Sequence, residues 1–152
     1  MSIKKDIQTK GFITEQEKTY VNLFHTAAFF ESKFNQFIKD FGISPQQYNV
    51  LRILRGQSPN SILYGDLQER MIHKMSNATR LVDKLEEKDL VVRIKSKEDK
   101  RQMLVSINQN GLSLLSKLDT HVAEFNLKFM NLPEAQLMVL NLLLDDLKAA
   151  SK

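Results

Sequence analysis

Residues 74–107 read KMSNATRLVDKLEEKDLVVRIKSKEDKRQMLVSI, and two periodicities meet inside them. Met75, Ala78, Leu81, Val82 and Leu85 recur at three- and four-residue steps and fall within an arc of about 120° at the helical period. That predicts a helix over about 74–88. The opposite arc holds His73, Ser76, Thr79, Arg80, Asp83, Lys84 and Glu87. From Val92 the period becomes two. Val92 and Ile94 alternate with Arg93 and Lys95, and Met103, Val105 and Ile107 alternate with Leu104 and Ser106. Between these runs lies Ser96-Lys97-Glu98-Asp99-Lys100-Arg101, polar and charged. The pattern predicts a β-hairpin with a basic tip.

The charge of the chain is concentrated in the same place. The 152 residues carry a formal net charge of +4, and residues 70–107 hold ten Lys or Arg against six Asp or Glu. The remainder is electrically neutral. A neutral body with one basic segment is the electrostatic form of a phosphate-binding surface, and a solvated Lys-rich face is the bland alternative. Within the helix the signs are segregated. Lys74, Ser76, Asn77, Thr79 and Arg80 fill the N-terminal half, whereas Asp83, Glu86 and Glu87 fill the C-terminal half. A merely solvated face has no reason to sort its charges in this way.

Upstream, Ser44-Pro45-Gln46-Gln47 places Ser at N-cap, Pro at N1 and Gln at N3, which is a capping box. Ile43 and Tyr48 are positioned as a hydrophobic staple. The helix they start buries Tyr48, Leu51 and Ile53 or Leu54 and closes near Gly56. Gln57-Ser58-Pro59-Asn60-Ser61 reads as a loop. A short helix follows from about Tyr64 to Met71, with Leu67 and Met71 inward. Farther upstream, Tyr20, Leu23, Phe24, Ala27, Ala28, Phe30, Phe34, Phe37 and Ile38 mark a long amphipathic helix from about Glu15 to Phe41, stopped by Gly42. Residues 1–13 read as loosely ordered. Downstream, Asn108 is the expected N-cap of a helical region over 109–150. Leu112, Leu115, Leu118, Val122, Phe125 and Phe129 form its stripe, Pro133 restarts it, and Leu137, Leu140, Leu144 and Leu147 continue it.

Several function classes drop out. With no Cys there is no disulfide framework, thiolate zinc site, cysteine nucleophile or thiol redox sensor. His25, His73 and His121 are scattered without metal-ligand spacing, and the six Met residues suggest no metal site. There is no Gly-rich phosphate loop, His-x-x-x-His or Gly-x-Ser-x-Gly, and Asp145-Asp146 reads as a solvated face. The chain is therefore expected not to be an enzyme and to need no cofactor. No stretch approaches the roughly 20 apolar residues that cross a bilayer, and the N-terminus shows no apolar signal region, so a cytoplasmic protein without a membrane partner is expected.

Helix, short helix, polar-faced helix and basic hairpin, in that order, spell a winged helix-turn-helix. The fold class expected is mainly α with a small β-hairpin wing, flanked by N- and C-terminal helical dimerisation arms. In such a fold the third helix presents Lys74, Ser76, Asn77, Thr79, Arg80 and Lys84 to the major groove. The hairpin reaches an adjacent minor groove or phosphates with Lys97, Lys100 and Arg101. A winged unit needs about 60–70 residues, so roughly half of the chain lies outside it. That half is amphipathic and neutral, which suits a symmetric partner.

A family resemblance now becomes visible. Met75 to Lys88, followed by Leu90-Val91-Val92-Arg93, resembles the recognition helix and first wing strand of the MarR (multiple antibiotic resistance regulator) family. Asp99-Lys100-Arg101 is similar to the family's Asp-x-Arg wing motif. The spacing to Ile107-Asn108-Gln109-Asn110-Gly111 also matches, with Asn108 where a Thr is common. The resemblance covers about residues 15–148. It implies a single MarR-like domain over 1–152, with dimerisation helices at about 15–41 and 109–150 and a DNA-binding region at about 44–108. It also implies a homodimeric transcriptional regulator of double-stranded DNA, most often a repressor on a palindromic operator. By position, Ser76, Asn77, Thr79 and Arg80 meet the major groove and Arg101 serves the wing, oriented by Asp99. Many members release DNA on binding a small aromatic or phenolic effector. His25, Phe29, Tyr48 and Tyr64 are the candidate pocket here, although the aromatic set of Phe24, Phe29, Phe30, Phe34, Tyr48 and Tyr64 reads more readily as core or interface than as a pocket. One departure stands out, because Asp89 occupies the place of the usual Gly that ends the recognition helix. The rival reading is a winged-helix interaction scaffold with no operator.

Overall fold

The computed structural model describes residues 2–96, 99 and 102–150. Chain order gives α1 (Ile3–Asp6), α2 (Glu15–Lys39), α3 (Pro45–Gln57), β1 (Ile62–Leu63), α4 (Tyr64–Arg70), α5 (Ala78–Glu86), β2 (Val91–Lys95), β3 (Met103–Ile107), α6 (Gln109–Phe129) and α7 (Glu134–Ala149). The fold is mainly helical with a winged helix-turn-helix at its centre. The chain divides into two compact units, Met1–Leu115 and Ser116–Lys152.

In the first unit α3 is the central helix, packed against α2, α4, α5 and β3. Its start is held by the expected capping box. Ser44 Oγ accepts from the Gln47 N–H at 3.2 Å, and Gln47 Oε1 accepts from the Ser44 N–H at 3.0 Å. Ile43 and Tyr48, the two staple residues, are both buried. Val50, Leu51 and Leu54 then meet Leu67 of α4, Val82 and Leu85 of α5 and Val105 of β3 among the fully buried side chains. α2 begins at Thr14, whose hydroxyl accepts from the Glu17 N–H, and ends before Gly42, whose φ of 72° reverses the chain.

Four features differ from the sequence expectation. Residues Ile3–Asp6 form a one-turn helix instead of loose chain, because Ile3 finds a buried place and α1 packs against α2. The recognition helix starts at Ala78, not at about 74. Asn77 caps it by accepting the Arg80 N–H at 3.0 Å, and the Ser76 N–H bonds to the His73 carbonyl in a preceding turn. Met75, placed by periodicity on the apolar arc, therefore lies outside the helix and is 99% exposed. In β2 the buried phase belongs to Val91, paired with Ile107, so Val92 and Ile94 face outward. The fourth is a third strand. Ile62 and Leu63 pair with Val105 and Leu104, giving the antiparallel order β1-β3-β2.

Asp89 takes a φ of 52°, the left-handed conformation that the family pattern leaves to Gly. The Leu90 N–H bonds the Leu85 carbonyl and the Asp89 N–H bonds the Glu86 carbonyl, a Schellman ending for α5. α6 starts as expected, with Asn108 Oδ1 accepting the Gly111 N–H at 3.0 Å. In the second unit Leu118 and Phe125 are buried, Phe125 and Phe129 stack at 4.6 Å between centroids, and α7 buries none of its side chains. None of the described helices is long and apolar enough to cross a membrane.

Candidate nucleic-acid interface

α5 is held from behind and open in front. Ala78, Val82 and Leu85 are buried, whereas Asn77, Thr79, Arg80 and Lys84 are exposed and Ser76 is half-buried. This follows from the cap. Asn77 fixes the first helical turn, and the 3.6-residue period then sends 78, 82 and 85 inward while 79, 80 and 84 turn outward. Lys74 is also exposed but belongs to the preceding turn, where its carbonyl accepts from Gln68 Nε2 at 3.0 Å. Of the six residues expected at the groove, four therefore stand on or cap the helix, and Lys74 and Ser76 flank its entry.

Arg80 makes no ion pair among the described residues. The acids of α5 are occupied by a residue of the neighbouring strand. Arg93 of β2 donates to Asp83 Oδ1 at 2.5 Å and also to Glu86. The hydrogen bond from Arg93 holds the Glu86 carboxyl below the usual carboxylate range, and the same bond raises the Arg93 pKa. Asp83 and Glu86 precede Arg93 by ten and seven residues, across the turn from α5 to β2, so no helical periodicity links them to Arg93. This clamp masks two negative charges on the helix that faces outward with Arg80 and Lys84.

The expected wing is only partly within view. Asp99 is half-buried, and its N–H bonds Ser96 Oγ at 3.3 Å. Lys97, Lys100 and Arg101 lie outside the described residues. The four residues of the expected effector pocket are dispersed. His25 and Phe29 are exposed on α2. Tyr48 is buried in α3, with Phe34 at 5.5 Å and its hydroxyl accepting from Arg52 Nη1 at 3.0 Å. Tyr64 lines a cavity of about 470 Å³ together with Asp66, Thr79, Arg93, Gln102 and Met103, and His25, Phe29 and Tyr48 are not among its lining residues. The Tyr64 hydroxyl is buried there close to Arg93, and burial pushes its pKa up. Among the described residues no cluster of His, Asp and Glu could hold a metal ion.

Comparison with known proteins gives the same segment prominence. Residues 43–103 match the model of the MarR family. The transcriptional regulator SarZ of Staphylococcus aureus is 30% identical over 99 residues, covering 65% of this chain and 63% of SarZ. The homoprotocatechuate degradative operon repressor of Escherichia coli is 29% identical over 93 residues, covering 61% of this chain and 62% of the repressor. The chain thus spans less than two thirds of the length of these relatives. A MarR-like transcription regulator from Bacillus cereus shares the fold with a TM-score of 0.82 at 19% identity, covering 91% of this chain and 99% of that one. The matched segment contains the capped α3, the outward edge of α5 and the first wing strand in the order the fold requires, and over that segment the chain matches the MarR family.

Proposed function

We propose that this protein is a sequence-specific regulator of transcription that binds double-stranded DNA as a homodimer on a palindromic operator. The observation that carries the reading is the outward edge from Ser76 to Arg80, backed by buried Ala78, Val82 and Leu85. A helix fixed by its rear and lined in front by short hydroxyl and amide groups, plus an Arg with no ion pair among the described residues, suits a major groove. Lys74, Ser76, Asn77, Thr79, Arg80 and Lys84 are the groove residues proposed, with Lys97, Asp99, Lys100 and Arg101 for the wing.

The homodimer has its own support. α7 carries Met138, Val139, Leu140, Leu142, Leu143 and Leu147 exposed, and α2 exposes Tyr20, Phe24 and Phe29. A helix that is apolar around most of its circumference is stable only when something covers it. Two recognition helices would also read twice the sequence one can. The repressor sense follows the name of the Escherichia coli relative. For a small aromatic or phenolic effector, Tyr64 is the proposed contact that lines a cavity, whose 470 Å³ lies within the usual range for small-ligand sites.

The test is a gel shift with the DNA flanking the protein's own gene and an unrelated duplex of equal length, at about physiological salt. The reading expects the flanking DNA to bind at least about a thousandfold tighter. Weak binding that ignores sequence would count against it.

A further inference from the structure

We propose that the notch between the start of α3 and the outward edge of α5 seats one backbone phosphate of the duplex, and that Gln46 holds it from the α3 side. The assignment rests on the reading of α5 as a recognition helix. The notch has a volume of about 320 Å³ and is lined by Gln46, Ser76, Asn77, Arg80, Leu81 and Lys84. Its chemistry is one-sided. Lys84 supplies a cationic side chain, Arg80 borders the notch on the groove side, Gln46, Ser76 and Asn77 supply neutral donors, Leu81 supplies an apolar wall, and no carboxylate of the described residues lines it. An anion with several acceptor oxygens is what such a lining satisfies.

The donors are also uncommitted. Among the described residues, the side chains of Gln46, Arg80 and Lys84 make no hydrogen bond or ion pair. The contrast with the adjacent Gln47 is instructive, since its amide oxygen is spent on the capping box and its side chain is buried. Gln46 is the second residue of α3 and has no such duty. It stands thirty positions before Ser76 in the chain, so only the fold brings it to the recognition surface.

Docking geometry selects a phosphate over a base. The turn motif here is α4 and α5, and the first residues of its second helix enter the major groove. The notch lies beside that entry, on the side of α3, where the sugar-phosphate backbone borders the groove. Lys84 lies one turn beyond Arg80, away from the helix end that meets the bases, and it supplies the charge. Gln46 supplies a directed donor from the opposite wall.

The experiment uses the full chain and fluorescence anisotropy with two duplexes, one from upstream of its own gene and one of arbitrary sequence. Gln46→Ala should weaken both by a similar factor, about 3–10-fold. Gln46→Glu should weaken both further without lowering Tm, because a carboxylate in the first turn of α3 suits the helix dipole. Gln46→Lys should tighten both and steepen the salt dependence by about one released counterion. A loss confined to one duplex would make Gln46 a base contact and overturn the proposal. Variants indistinguishable from a binding wild type would overturn it and leave the regulator reading intact. A wild type that binds neither duplex would remove both.

Discussion

Asp89 sits in a left-handed conformation that costs an ordinary side chain about 1–2 kcal/mol. Its compensation comes from the start of α6. Asn108 Nδ2 donates to the Asp89 carbonyl at 3.0 Å and to its carboxylate at 3.1 Å, and Asn110 Nδ2 donates to the other carboxylate oxygen at 2.7 Å. Asp89→Ala keeps the strain and loses the bonds to the carboxylate, so it should destabilise by about 1–2 kcal/mol in urea unfolding. Asp89→Gly relieves the strain while losing the same bonds and should fall within about 0.5 kcal/mol of wild type. The departure from Gly was visible in the sequence. The two Asn partners were not, because they lie about twenty residues downstream and meet Asp89 only when β3 has returned the chain. Arg93 and Glu86 give a pH prediction. The folded Glu86 carboxyl is depressed, so its contribution is present above the ordinary carboxylate range and lost as pH falls through its folded pKa. Tm should therefore fall as the pH drops below the ordinary carboxylate range, and Arg93→Met should make that fall shallower. Equal acid sensitivity of the two proteins would contradict the clamp.

Elements differ in how plainly the sequence marks them. α3 is announced by its own residues, since cap, Pro, Gln and staple all lie within six positions. Ser44→Ala should accordingly cost about 1 kcal/mol, measured by chemical denaturation, and a negligible change would mean the box carries no load. The start of α5 was misplaced because a hydrophobic period runs on past a cap. Met75 continues the pattern, yet Asn77 ends the helix before reaching it. The two-residue β1 was hidden for another reason. Ile62 and Leu63 become a strand only through β3, a partner about forty residues away. The junction of β3 and α6 is similarly tertiary. A Cβ on Gly111 would overlap the Leu90 carbonyl oxygen and lie 2.6 Å from Ile107 Cγ1. Gly111→Ala should thus destabilise by about 1–3 kcal/mol, whereas Gly56→Ala, with open space around it, should not.

At the scale of the molecule, the order of elements was legible because a polar helix edge and an alternating hairpin are both local patterns. The acid-masking clamp and the Gln46 notch were not, since each joins residues from separate elements. The apolar exposure of α7 and α2 leads to a prediction about assembly. Sedimentation at micromolar concentration should show a dimer, and replacing Leu143 and Leu147 by Asp should shift it toward monomer. A monomeric wild type would undermine reading by two half-sites. The central claim is that the Ser76 to Arg80 edge reads base sequence, and Arg80→Ala tests it most directly. Anisotropy titrations at about 0.15 M salt would compare wild type and variant on the upstream DNA and on an unrelated duplex. The account predicts a loss of about 1–3 kcal/mol on the upstream DNA and a much smaller one on the unrelated duplex. Equal, small losses on both would contradict it.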